Sequence, residues 1–76
     1  MDEIIRILNE IDPSIDYENA TDLIDGKKLD SFGIVTLVTE LSDEFDVEIT
    51  AKWMEASNFN SVEAIWNMIN KIREED

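Results

Sequence analysis

Three stretches of this chain carry apolar residues at helical spacing and only one alternates as a strand does, so the core has to be built by helices. Ile4, Ile7, Leu8 and Ile11 repeat at i, i+3, i+4 and i+7, with Asp2 and Glu3 in the first turn to complement the helix dipole. Pro13 ends that stretch, because the residue before a proline disfavours helical dihedrals. Ile34, Val35, Leu37, Val38, Leu41 and Phe45 mark a second helix of about four turns behind the N-cap candidates Asp30 and Ser31. Val62, Ile65, Trp66, Ile69 and Ile72 mark a last one, opened by a capping-box-like pair, Asn60 and Glu63, with Lys71 and Arg73 at its C-terminal end. The alternating run Asp46-Val47-Glu48-Ile49-Thr50 has no partner strand and reads as an extended connector. Residues 51–57, with Trp53 and Met54, read as a short helix, and the tail 74–76 as frayed. The predicted architecture is all-α: a small four-helix bundle of three longer helices and one short one.

Residues 12–30 follow neither period, although Ile15, Tyr17, Leu23, Ile24 and Leu29 are spaced to pin a long loop onto a core. Unstructured connections longer than about 12 to 15 residues are uncommon in small domains and are usually functional. The loop between the first and second helices therefore requires a purpose.

With 76 residues the chain sits near the lower limit of independent folding and is read as one domain, residues 1–76. Its 43% hydrophobic content is enough for a packed core rather than disorder. No window approaches the roughly 18 consecutive apolar residues of a membrane span, and the acidic start Asp2-Glu3 is unlike a secretory signal, so a cytoplasmic, non-inserting protein is expected. The chain has no cysteine and no histidine, which removes thiolate and imidazole nucleophiles, bases and zinc ligands. Placing Gly26 at the glycine of an EF-hand loop puts Thr21, Leu23 and Phe32 at ligating positions, so no metal site is read there. A core this small leaves little for a substrate cleft, and no catalytic residue is assigned. Nineteen acidic against six basic side chains give a net charge of -13, which repels phosphate backbones and argues against nucleic acid. The same charge directs the chain toward basic protein surfaces and should make added salt stabilising.

What stays chemically distinctive is Leu29-Asp30-Ser31-Phe32-Gly33, a serine at the mouth of a helix between an acid and an aromatic. By position alone Ser31 is most simply an N-cap. Yet LDSFG, a helix ending in DEFDVEI, a short helical segment and a helix opened by NFNSVEAI together resemble the acyl carrier protein family, small four-helix carriers of 4'-phosphopantetheine. The resemblance runs from the first apolar stripe to Ile72 and includes the acidity and the long first loop. It implies that a phosphopantetheinyl transferase, using coenzyme A and magnesium, attaches the arm to the Ser31 hydroxyl. It further implies that Asp30 helps the transferase position coenzyme A and metal, that Phe32 is a partly exposed residue against which the arm leans, and that Trp53 and Met54 divide between core and surface. By the same resemblance, Gly33, Ile34, Thr36, Thr39, Glu40, Asp43 and Met54 are expected at the partner-facing positions.

In fatty acid carriers an acid commonly stands two residues after the serine and others line the helix beyond; here Gly33, Thr36 and Ser42 hold those places, leaving Glu40, Asp43 and Glu44. Gly33→Asp is accordingly expected to improve recognition by fatty acid synthesis partners. LDSFG looks closer to the freestanding D-alanyl carriers of teichoic acid modification and to standalone carriers of specialised pathways. The function expected is a monomeric, freestanding carrier, not an enzyme, that takes an acyl or aminoacyl group as a thioester from a ligase and delivers it to acceptor enzymes. Two alternatives stay open: an unmodified acidic helical adaptor that binds a basic partner surface, and a nucleic-acid mimic supported by charge alone.

Overall fold

In the computed structural model, which describes residues 2–75, helix α1 spans Asp2–Ile11, α2 Ser31–Phe45, α3 Ala56–Phe59 and α4 Val62–Glu75, with a 3₁₀ turn at Ala51–Trp53. Among the described residues there is no strand, and the four helices form the all-α bundle expected, with the long loop between α1 and α2. The three apolar stripes meet. Ile4, Ile7 and Leu8 of α1 are buried with Leu37 and Leu41 of α2 and with Val62, Ile65, Met68, Ile69 and Ile72 of α4. Val35 departs from the expected stripe at 63% exposure, on the opposite face of α2 from Leu37 and Leu41.

Helix α1 stops where Pro13 requires, and Asp12 turns the chain: its Oδ1 accepts the Ser14 N–H at 3.0 Å and the Ser14 hydroxyl at 2.6 Å. Those two bonds, the hydroxyl's first, hold the Asp12 carboxyl below its ordinary range. The loop that follows is part of the core. Tyr17, Leu23 and Leu29 are buried, and Ile15, Ala20 and Ile24 pack partly against the same cluster. The Tyr17 hydroxyl donates to the Asp12 carbonyl at 2.8 Å. Burial, and then the Asp12 charge, push that phenol up from its usual range.

Asp46 ends α2 in the left-handed region at φ 52°, which aspartate tolerates better than most residues, and its N–H returns to the Ser42 carbonyl. Beyond it Val47 is buried and Ile49 half-buried while Glu48 and Thr50 face outward, so the strand-like alternation belongs to a connector that dips into the core at every second residue.

Two expectations about the second half need correction. The short helix over 51–57 is broken: Met54 and Glu55 leave helical geometry between the 3₁₀ turn and α3. The Trp53 carbonyl, which a continuous helix would offer to the Ser57 N–H, instead accepts the Glu55 N–H and the Asn58 side chain, both at 2.9 Å. Helix α4 is capped by Ser61, whose hydroxyl accepts the Ala64 N–H at 3.0 Å, and Asn60 is used elsewhere. Helix α4 runs into the tail as far as it is described. Glu74 and Glu75 are helical, with Glu75 held 2.7 Å from Lys52 Nζ; Asp76 lies outside the described residues.

Of the acids that close α2, Glu44 has a partner from another helix. Glu44 pairs with Arg6 of α1 at 2.5 Å, and the Arg73 guanidinium of α4 lies over the Phe45 ring. An unfavourable acid at a helix C-terminus is thereby offset by a cation from the neighbouring helix.

Candidate functional site

Asp30 and Ser31 compete for the cap of α2, and Asp30 holds it. Its backbone is extended (φ -88°, ψ 178°) and its Oδ1 accepts the Gly33 N–H at 2.7 Å. Ser31 becomes the first helical residue. Its side chain is exposed, and its hydroxyl makes no hydrogen bond among the described residues. A nucleophilic oxygen therefore stands at the positive end of a 15-residue helix with the capping duty already taken by its neighbour. Asp30→Ala is expected to destabilise the protein by about 1 kcal/mol, the usual effect of a lost N-cap, read from the urea midpoint. No change at all would show that the 2.7 Å bond carries nothing.

Phe32, beside the serine, is 81% exposed and lies one helical turn from Val35, so two large apolar side chains stand together in solvent on one side of α2. Single exposed apolar residues are ordinary, but adjacent ones at the start of a helix mark a surface suited to contact. Along the same helix Glu40 and Asp43 are exposed and neither is ion-paired among the described residues. Thr36 and Thr39 turn their hydroxyls back onto the helix, donating to the Phe32 and Val35 carbonyls at 3.0 and 2.9 Å. What these threonines offer outward is chiefly a methyl group.

Gly33 does not belong with the partner-facing residues. It is buried, and a Cβ built on it would lie 3.5 Å from the Ile11 side chain and 3.8 Å from that of Leu29, where the end of α1 closes on the first turn of α2. Ile34 is half-buried and packs against the core, so it presents only part of its surface. Gly33→Asp therefore meets a different fate from the one its position suggested. The new Cβ would come within 3.3 Å of the Asp30 carboxylate that caps the helix, and the added charge would repel it. A loss of about 1 to 3 kcal/mol is expected, measured by chemical denaturation, and an unchanged midpoint would refute the crowding.

Asp30, Phe32, Gly33, Thr36 and Glu40 line one wall of a cleft of about 360 Å³ whose other wall is Ile7, Glu10 and Ile11 of α1. Its lining combines the apolar side chains of Ile7, Ile11 and Phe32 with the carboxylates of Glu10, Asp30 and Glu40. Lys27 and Lys28 border a smaller cleft of about 250 Å³ with Ile11, Asp12 and Leu29, and it shares Asp30 and Gly33 with the first. Lys28 is held by Asp22 at 2.9 Å; Lys27 takes a left-handed backbone and is exposed. Met54 (45% exposed) and Trp53 (half-buried against the core) divide between surface and core, and neither lines the cleft beside Ser31.

Two residues with structural weight escaped the sequence reading. Phe59, within NFNSVEAI but given no place in the core from sequence, is buried at the end of α3, and Met68 is buried in α4, where only the helical register around Ile65 and Ile69 points to it. Among the described residues no three carboxylates gather to hold a metal ion. None of the described helices is long and apolar enough to cross a membrane. No family model matches the chain, and no curated protein or solved structure matches it either.

Proposed function

We propose that this chain is a carrier domain of the acyl carrier protein type, with Ser31 as the attachment point of a 4'-phosphopantetheine arm. The observation that carries this reading is the division of labour at the start of α2: Asp30 caps, and the Ser31 hydroxyl is left exposed and unbonded among the described residues. A serine needed only for the cap would be expected to bond a backbone N–H. The surroundings suit a phosphodiester. The free N–H groups of the first turn and the helix dipole stabilise an anion at this point of an otherwise acidic protein. When attached, the arm supplies a terminal thiol that holds an acyl or aminoacyl group as a thioester. The chain's own residues anchor the arm, offer the apolar side chains of Phe32 and Ile11 close to it, and present Glu40 and Asp43 to basic surfaces on a phosphopantetheinyl transferase, a ligase or an acceptor enzyme. The role is that of a substrate passed between enzymes.

Incubation with coenzyme A, magnesium and a broad-specificity phosphopantetheinyl transferase, followed by intact mass, tests this. One phosphopantetheinyl increment is expected. A second reading, an unmodified adaptor, is favoured by the exposed pair Phe32 and Val35, which would anchor a helix face in a groove whether or not Ser31 is modified. Folded protein that stays unmodified beside a transferase active on another carrier would shift the assignment to the adaptor.

A further inference from the structure

Asn60, at the junction of α3 and α4, makes four hydrogen bonds to three consecutive residues of the long loop. Its Oδ1 accepts the N–H groups of Ile24 and Asp25, both at 3.0 Å, and its Nδ2 donates to Asp25 Oδ2 at 3.0 Å. Its main-chain carbonyl accepts the Leu23 N–H at 2.9 Å. The Leu23 carbonyl in turn accepts the N–H groups of Lys28 at 3.0 Å and Leu29 at 3.1 Å. Leu29 is buried, and the next residue is Asp30, the cap that leaves Ser31 free. A continuous path of hydrogen bonds and two buried leucines thus joins the entrance of α4 to the first turn of α2.

We propose that Asn60 is a latch that couples the α3–α4 junction to the serine-bearing end of α2. Closed, it holds segment 23–30 as one unit and delivers Asp30 to the Gly33 N–H. Open, it leaves two loop N–H groups and the Asp25 carboxylate without their partner, and the segment detaches together with the cap. An event at the junction, close in sequence to the exposed Met54, would reach Ser31 by this route. Local opening of this kind exposes a contiguous set of amides as a cooperative unit, which is what distinguishes a latch from a single surface contact. The inference concerns the chain's own bonds and stands whatever Ser31 carries.

Native-state amide hydrogen exchange of the full chain tests it. In Asn60→Ala the amides of Ile24, Asp25, Leu29 and Gly33 are expected to exchange faster together, by about tenfold relative to those of Leu8 and Leu41 in the middle of α1 and α2. Acceleration at Ile24 and Asp25 alone would overturn the coupling, since only the direct partners would have been freed. Equal acceleration at Leu8 and Leu41 would also overturn it, because the whole fold would then have loosened. Should Asn60→Ala not fold, Asp25→Ala removes only the bond from Nδ2. There the same four amides are expected to speed up together by about two- to threefold, and an unchanged Leu29 and Gly33 would overturn the proposal.

Discussion

Ser31→Ala is expected to abolish loading by the transferase completely while leaving stability within about 0.5 kcal/mol of the parent, as for surface substitutions away from special features. A Ser31 that held the cap, the simplest reading of its position, would lose about 0.5 to 2 kcal/mol on truncation. The structure lowers that figure. The Gly33 N–H is taken by Asp30 at 2.7 Å, and the Ser31 hydroxyl bonds to nothing among the described residues. Alanine is also a better helix former than serine, by roughly half a kcal/mol in a helix interior and less in a first turn. On the proposed function the loss is all-or-none, because the Ser31 oxygen itself would be the bonded atom. Intact mass after incubation with coenzyme A gives the first result, and urea titration of both proteins gives the second. If the increment persists in Ser31→Ala, another hydroxyl is the attachment point. Ser14 and Ser42 are the candidates, although the Ser14 hydroxyl already donates to Asp12 and Ser42 is half-buried. A drop in stability of more than about 1 kcal/mol would mean that the serine, and not the aspartate, holds the helix start.

Leu23→Ala is expected to destabilise the protein by about 2 to 5 kcal/mol, the range for truncating a fully buried leucine. Leu23 lies in the long loop and is 0% exposed. Its N–H and carbonyl also tie Asn60 to Lys28 and Leu29, so collapse around the cavity would strain three backbone bonds. Small domains have total stabilities near the low end of about 5 to 15 kcal/mol, and the variant should melt at least about 10 °C below the parent. Val35→Ala, at a position 63% exposed on a regular helix, is the control and should change stability by no more than about 0.5 kcal/mol. If Leu23→Ala behaved like that control, the loop would be a surface excursion and segment 12–30 would contribute nothing to the core.

The positions of α1, α2 and α4 were legible because a helix that buries one face must repeat its apolar residues every three or four positions, and Ile4 to Leu8, Leu37 to Leu41 and Ile65 to Ile72 do so. The pinning of the loop was legible for a related reason: Tyr17, Leu23 and Leu29 are too apolar to be left in water. Ser31 stood out as a serine between an acid and an aromatic at a helix mouth. Where the sequence reading erred, two residues had equal local claims to one task. Asp30 and Ser31 both cap well, as do Asn60 and Ser61, and a glycine two residues after the serine looks as outward as any other first-turn residue.

Local chemistry is enough to say that a helix starts near residue 31 and another near residue 62, since propensity, capping and periodicity act within a few residues. Which side chain caps is a choice among nearly equal local energies, and it is made by what else competes for each group. Asn60 is taken from α4 by two loop N–H groups some 35 positions away, so Ser61 caps instead. Gly33 faces inward because Ile11, at the end of another helix, closes against it. Contacts between residues far apart in the chain have no period and no motif, and only the packed bundle brings them within reach. Helices and core were set by the order of the residues; the freedom of the Ser31 hydroxyl was decided by the fold around it.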